Sequence, residues 1–474
     1  MKVVIFGVGN FYKKRVKEVS DLLIDDEIVA FLDNRFENQG DFNGIPAMNP
    51  SLINMVKYDC IIIMSIYVEE IYNQLCSLGV DKERIYTLKQ YRSWKTGGEL
   101  EKYDSAIPGD GKKVLIVTNP IRYDGGSMAA VYAAMALRQR GYCVWVTAEY
   151  VESELQEKLL RDGISIAINR DIPYWGETIK KYMDSFSVVL VNVFPNIHSA
   201  YDLGKIKPVV WWLHESDIYG KIYQQTFELF PEYREKLEIE TVNIVAVSDK
   251  AKGNFQRYYP EIDVRLMPYG LPDDVIINEF ENNTMIFALI GNISYLKGQD
   301  IFIDAAIKVM NGQCEHIEFW LIGSTAGDYA QNFLLGVEQL DYVKVKGEVN
   351  RAEMRRLLSE IDVVVSASRE DSLPIVITEG MMNSKTCIIS DAIGSSKYIK
   401  NMVNGIKFKS QDADDLAKAM TWCLNNKDAL KVIGSKARNT YKEFFSMKAF
   451  ADNLEKEILY AEMKYNARKA NNNL

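Results

Sequence analysis

The stretch S-A-S-R-E-D-S-L-P-I-V-I-T-E-G, residues 366–380, carries two acids at a strand-to-helix turn. The apolar run Asp362-Val363-Val364-Val365 before it reads as a buried strand, and a helix is expected to start at Pro374. Proline suits a first helical turn, where its missing N–H costs nothing, so Ser372 or Leu373 is expected at the N-cap. The free N–H groups and the positive dipole end there form an anion site, at the carboxyl edge of the strands where open parallel sheets bind ligands. Glu379 then lies roughly 7.5 Å along the axis, at about 1.5 Å per residue. That is about the step from a diphosphate to the ribose of the same nucleotide, and a carboxylate there can accept from both ribose hydroxyls. Asp371, with Glu370 beside it, would meet whatever the diphosphate carries. The spacing fits a nucleotide sugar. Acids near helix starts also serve simply as partners of the dipole.

Three further places could do related chemistry. In I-G-N-I-S-Y-L-K-G-Q-D (290–300), Lys297 precedes a helix and can reach the same phosphates as a point charge. Asp124-Gly125-Gly126-Ser127 lets backbone N–H groups approach a ligand closely. His214, in W-W-L-H-E (211–215), stands just beyond the carboxyl end of a strand; neither His198 nor His316 has that placement. Each has a plainer reading: an exposed loop lysine, a strand–helix turn, a structural histidine.

The elements that must position these groups follow from patterning. The 474 residues are enough for two or three domains, and 47% hydrophobic with 26% charged residues is ordinary for a chain with sizeable cores. A net charge of −9 argues against nucleic acid as a partner. The six cysteines (60, 76, 143, 314, 387, 423) are scattered without C-x-x-C, which fits a reducing cytoplasm. No signal peptide and no transmembrane run is expected, and peripheral membrane contact stays open. Strands alternate with helical patterns in three blocks, the mark of parallel α/β sheets. We expect a small domain over 1–93, a linker over 94–112, two larger domains over 113–280 and 281–446, and a charged C-terminal helix with a polar tail over 447–474. M-P-Y-G-L-P (267–272) reads as a hinge. Gly141 should close a helix. Asn350 and Glu353 should form a capping box, and Asp412-Ala413-Asp414 reads as a helix cap rather than a metal motif.

Together these motifs resemble the retaining glycosyltransferases of family four over residues 112–445. The family's E-x7-E motif is matched by Asp371 and Glu379. Its R-x4-K phosphate pair is matched by Asn292 and Lys297, with asparagine in place of the arginine. Gly125-Gly126 and His214 match the glycine loop and the histidine. The resemblance implies a GT-B fold, two Rossmann-like domains facing a cleft, here preceded by a small Rossmann-like α/β domain. It implies a nucleotide-sugar donor held by the C-terminal domain and a glycan or lipid-linked acceptor against the N-terminal one. The sugar is transferred with retention, without a metal or other cofactor. Catalytic roles fall to His214, Asp371 and Lys297. Donor contacts fall to Gly125, Gly126, Asn292, Lys297, Glu370, Asp371, Ser372, Leu373, Pro374, Ile375, Val376 and Glu379. Family habit places such enzymes in cell-surface polysaccharide assembly, in the cytoplasm and at the inner face of the membrane.

The first block opens as G-x-G-x-x-G would, with Gly7 and Gly9, but Tyr12 stands at the third glycine. Asp33 sits where a ribose-binding acid would. The block is too short for a dehydrogenase, so an oxidoreductase is disfavoured against a structural, regulatory or assembly role. The other alternative, a non-catalytic nucleotide-sugar-binding scaffold, is motivated by Asp371 in place of glutamate and by the missing arginine.

Overall fold

The computed structural model describes residues 1–217, 220–235, 237–275, 283–312 and 316–472. Cys314 and the expected 280/281 domain boundary lie outside them. Three sheets follow one another along the chain. The first holds β1 (Lys2–Phe6), β2 (Glu27–Leu32), β3 (Gly40–Phe42), β4 (Ile45–Met48), β5 (Cys60–Ile63) and β6 (Ile85–Thr87), in the order β3-β4-β2-β1-β5-β6. The second holds β7 (Glu101–Tyr103), β8 (Lys113–Val117), β9 (Cys143–Ala148), β10 (Ser165–Ile168), β11 (Val188–Asn192), β12 (Val209–Leu213), β13 (Val242–Ala246) and β14 (Arg265–Leu266), in the order β14-β13-β12-β11-β8-β9-β10-β7. The third holds β15 (Met285–Ile290), β16 (Ile317–Ile322), β17 (Val343–Gly347), β18 (Val363–Ser366), β19 (Thr386–Ser390) and β20 (Ile406–Phe408), in the order β17-β16-β15-β18-β19-β20. Among the described residues only the β3–β4 and β7–β10 pairs are antiparallel.

Parallel strands are covered on both faces, so they read as unbroken apolar runs rather than alternations. All five residues of Val188–Asn192 and of Val209–Leu213 are buried. One hydrophobic cluster covers the second sheet and continues onto Ile286, Ala288 and Val364 of the third, so these two halves share a core. The far face of the third sheet has its own cluster, and the first sheet has a small one on each face. The C-terminal helix Met447–Asn472 returns to the second sheet. Its apolar stripe of Phe450, Leu454, Ile458 and Ala461 is buried, and Glu457 accepts from Asn243 at 2.9 Å and pairs with Arg265 at 2.8 Å.

Several local expectations shift. Residues 94–112 are not a free linker. The helix Leu88–Thr96 runs into them, and β7 then pairs with β10 as the edge of the second sheet. Its three-residue length hid it from any periodicity. Asn350 does cap its helix by accepting from Glu353 N at 2.9 Å, but the Glu353 carboxylate bonds Arg356 instead of reaching back, so the box is half formed. Gly141 follows its helix with φ +86°, and Asp412 caps the helix Ala413–Asn425. Asp33 is not free for a ribose. It takes the Val8 N–H at 3.0 Å and two Arg35 nitrogens at 2.8 Å, which hold its carboxyl down at about 2 against the pull of burial.

The first sheet docks on the second through polar contacts. Lys89 pairs with Glu149 at 2.5 Å, Arg92 with Asp171 at 2.5 Å, and Arg234 with Glu69 at 3.2 Å.

Candidate active site

A ligand crevice is expected where neighbouring strands of an open parallel sheet send their connections in opposite directions. In the third sheet that point lies between β15 and β18. The loop after β15 carries Asn292 and Lys297, and the loop after β18 carries Glu370 and Asp371. The fold thus brings two sequence-distant motifs to one edge. Lys297 Nζ lies 2.5 Å from Asp371 Oδ2, with the lysine about one-third exposed and the aspartate mostly buried. Gly298, at φ +70°, makes the turn possible; a Cβ there would come within 2.2 Å of the Ala367 carbonyl.

The helix after β18 spans Ile375–Met382, one residue later than expected. Pro374 is itself the N-cap, with ψ 122°, because its ring fixes φ but leaves ψ free to stay extended. Ser372 and Leu373 precede it, and Tyr269 Oη donates to the Leu373 carbonyl at 2.8 Å. Tyr269 belongs to the M-P-Y-G segment expected as a hinge, and its bond makes that segment a strut under the helix start. Ile375 and Val376 open the helix, half-buried. Glu379 sits on it near Arg351 and Asp274. Burial raises its carboxyl to about 7, against the pull of Arg351.

The second sheet supplies the opposite wall. His214 follows β12, half-buried, its ring centroid 4.3 Å from that of Trp212. Burial pushes its imidazole down to about 3, so it is neutral at ordinary pH. Its backbone N–H donates to Glu215 Oε2 at 3.0 Å, and Glu215 Oε1 takes the Phe194 N–H at 2.6 Å. Burial lifts Glu215 to about 7 in spite of those bonds. Asn254 joins the two halves. Its Nδ2 donates to the Glu215 carbonyl at 3.0 Å and to Glu370 Oε1 at 3.3 Å. Lys397 and Asp249 add an ion pair across the same seam at 2.9 Å. Gly125 faces the helix start closely, since a Cβ on it would lie 3.9 Å from Ile375 Cδ1.

Not every expected residue joins. Asn292 is exposed and its Oδ1 accepts from Ser324 N at 3.3 Å, turned toward the loop after β16. Gly126 gives its carbonyl to Asn192 at 3.0 Å and packs on Val193, within its own half. Two residues were missed. Glu215 stood in view beside His214, but Asn254 lies mid-helix and only the tertiary fold reveals its role.

Five polar atoms of this cleft are buried without a hydrogen-bond partner among the described residues: His214 Nε2, Ser216 Oγ, Glu370 Oε2, Ser372 Oγ and Ser395 Oγ. Buried polar atoms are usually paired, so such a cluster marks a place built to meet a polar ligand. Among the described residues no group of histidine, cysteine and carboxylate side chains is placed to hold a metal ion. No helix among them is long and apolar enough to cross a membrane.

Comparison with known proteins agrees with this geometry. Residues 273–440 match the model described as glycosyl transferases group 1, and residues 1–86 match the C2185-like N-terminal model. An uncharacterized glycosyltransferase of Methanocaldococcus jannaschii is 26% identical over 37% of this chain and 48% of its own length. An Escherichia coli UDP-Gal:alpha-D-GlcNAc-diphosphoundecaprenol alpha-1,3-galactosyltransferase is 22% identical over 39% of this chain and 48% of its own. The chain thus spans about half the length of the curated relatives it matches. Among solved structures, Anabaena Alr3699/HepE in complex with UDP-glucose superposes with a TM-score of 0.62 at 16% identity, over 74% of this chain and 100% of that one. A glycosyltransferase from Rickettsia africae gives 0.60 at 19%, over 74% and 99%. These likenesses establish the architecture: behind a leading stretch that matches the C2185-like N-terminal model the chain has the GT-B fold, and its residues 273–440 match the model described as glycosyl transferases group 1.

Proposed function

We propose that the chain is a retaining glycosyltransferase. It moves a sugar from a nucleotide sugar to a glycan or lipid-linked acceptor, without a divalent metal, in building a cell-surface polysaccharide at the cytoplasmic face of the membrane. The observation that carries this is the seam that holds His214, the Asn254–Glu370 bond and the Lys297–Asp371 pair, with His214 Nε2 and Glu370 Oε2 buried and unpaired, between a group 1 domain and a second parallel sheet. The E. coli relative's UDP-galactose donor and diphosphoundecaprenol-linked acceptor, and the UDP-glucose held by HepE, support the substrate classes.

In this reading Glu379 accepts from the ribose hydroxyls, and the diphosphate lies against the N–H groups of Leu373, Ile375 and Val376. Lys297 exchanges partners. It leaves Asp371 for the phosphates and neutralises the charge that develops as the glycosidic bond breaks. Asp371 and Glu370 are then free to take the sugar hydroxyls. His214, neutral, offers Nε2 near the reacting carbon. Gly125 lets the acceptor-side backbone close on the diphosphate.

A second reading, a nucleotide-sugar-binding scaffold, is favoured by Asn292 standing where the family has a cation. A thermal-shift screen of UDP, GDP, ADP, dTDP and CMP and their sugars, with and without EDTA, tests both. A stabilisation by one nucleotide class, unchanged by EDTA, followed by slow release of that nucleotide from its sugar, supports the transferase. Binding without any release supports the scaffold.

A further inference from the structure

The leading domain is joined to the second sheet around an open cavity of about 1850 Å³. Small-molecule pockets are typically about 300–1,000 Å³. Its walls come from the same kind of place on both sheets. Ile63 ends β5 and Ser65 and Ile66 follow it, at the switch point between β1 and β5 of the first sheet. Asn119 and Asn196 follow β8 and β11, at the switch point of the second. Two ligand-binding edges thus open on one space.

We propose that this cavity is the acceptor site of the enzyme, with the leading domain as one of its walls, and that it takes a neutral, extended carbohydrate chain several sugars long. The inference rests on the transferase reading and adds the part that the first domain plays in it. Three observations choose the occupant. The lining holds seven acidic and seven basic side chains, so it offers no net field to a polyanion. Several of these are already paired, Arg92 with Glu18 and Asp171, and Lys89 with Glu149. The half-buried Tyr174 lines the same space and offers apolar surface to the C–H faces of sugars, while Phe11 and Phe230, which also line it, are covered by Arg15 and His198. Finally the cavity lies close to the glycine loop of the cleft, behind the buried Asn192 and Asn196. Asn196 Nδ2 bonds Asn119 Oδ1 at 3.3 Å and the Asn192 carbonyl at 2.8 Å, and Asn192 Nδ2 bonds the Gly126 carbonyl at 3.0 Å. One hydrogen-bonded chain therefore separates the cavity wall from the glycine loop facing the helix Ile375–Met382.

The test is hydrogen exchange of the full chain with neutral oligosaccharides (maltoheptaose, cellopentaose, chitotetraose, xylopentaose) and with a heparin-derived oligosaccharide as an anionic control. At least one neutral chain is expected to slow exchange in residues 63–67 and 168–174, and the anionic one is not. Ile66 is 72% exposed, so Ile66→Trp should fold normally while crowding the cavity mouth. It should weaken that protection by about tenfold or more, the cost of overpacking a formed contact surface. It should leave UDP-sugar binding unchanged. Protection confined to other segments, no protection by any neutral chain, or stronger protection by the anionic one overturns the assignment. The transferase reading fails separately, if no nucleotide sugar slows exchange in residues 285–300 and 366–382.

Discussion

Replacing Lys297 by methionine keeps the stem and removes the charge. The stem runs beside Gly291, where a Cβ would sit 3.6 Å from Lys297 Cδ, and the ammonium ends on Asp371 at 2.5 Å. With the lysine about one-third exposed, the pair itself is worth at most about 1 kcal/mol. Leaving Asp371 without its cation adds about 1–3 kcal/mol, because that side chain is only 14% exposed. A protein of ordinary stability, about 5–15 kcal/mol, tolerates such a loss and stays folded. Catalysis should suffer more. A lost electrostatic contact to the leaving group costs about 10²–10³ in kcat, some 3–4 kcal/mol. Lys297→Met and the charge-balanced double variant Lys297→Met/Asp371→Asn should both show this drop in donor turnover, and the double variant should recover most of the lost stability. A rate within tenfold of wild type in either would refute the leaving-group role. So would a collapse in stability that the double variant does not repair.

His214→Ala should cut turnover by about 10²–10³ with little change in nucleotide affinity, measured by calorimetry beside steady-state kinetics; equal losses would make it a packing residue. Glu379, lifted to about 7 by burial, is neutral below that pH and a stronger acceptor once ionised. Nucleoside diphosphate affinity should therefore rise as pH climbs through about 7 and then level, and Glu379→Gln should flatten the profile; an unchanged slope in the variant would remove Glu379 from the ribose. Gly298→Ala should lower the melting temperature by several degrees, since its Cβ meets the Ala367 carbonyl and φ is +70°. Wild-type melting would show that the Lys297 turn yields more easily than its geometry implies.

Much of this was legible in the chain. Parallel strands buried on both faces announce themselves as apolar runs, so Val188–Asn192 and Val209–Leu213 were plain. Asp371 and Lys297 drew attention because each follows a strand of the third sheet, where position alone predicts a binding edge, and Glu379 because of its step along the helix that comes next. What stayed hidden depended on tertiary partners. Asn254 is an unremarked helix residue until Glu370 comes within 3.3 Å of it. Asp33 looked like a ribose acid, and Arg35, two residues on, turned out to occupy it. The strand at 101–103 is too short to carry a pattern and exists because β10 offers an open edge. The Pro374 cap shows the limit of propensity: proline permits a first helical turn without requiring it.

The central claim is that the seam between the second and third sheets breaks a nucleotide-sugar bond. The most direct measurement is nucleoside diphosphate released from a panel of nucleotide sugars by the purified chain in EDTA, with Lys297→Met alongside. The account predicts slow, enzyme-dependent release from one donor class, at least tenfold less in the variant. Tight binding of a nucleotide sugar with no release above the variant's level would contradict it.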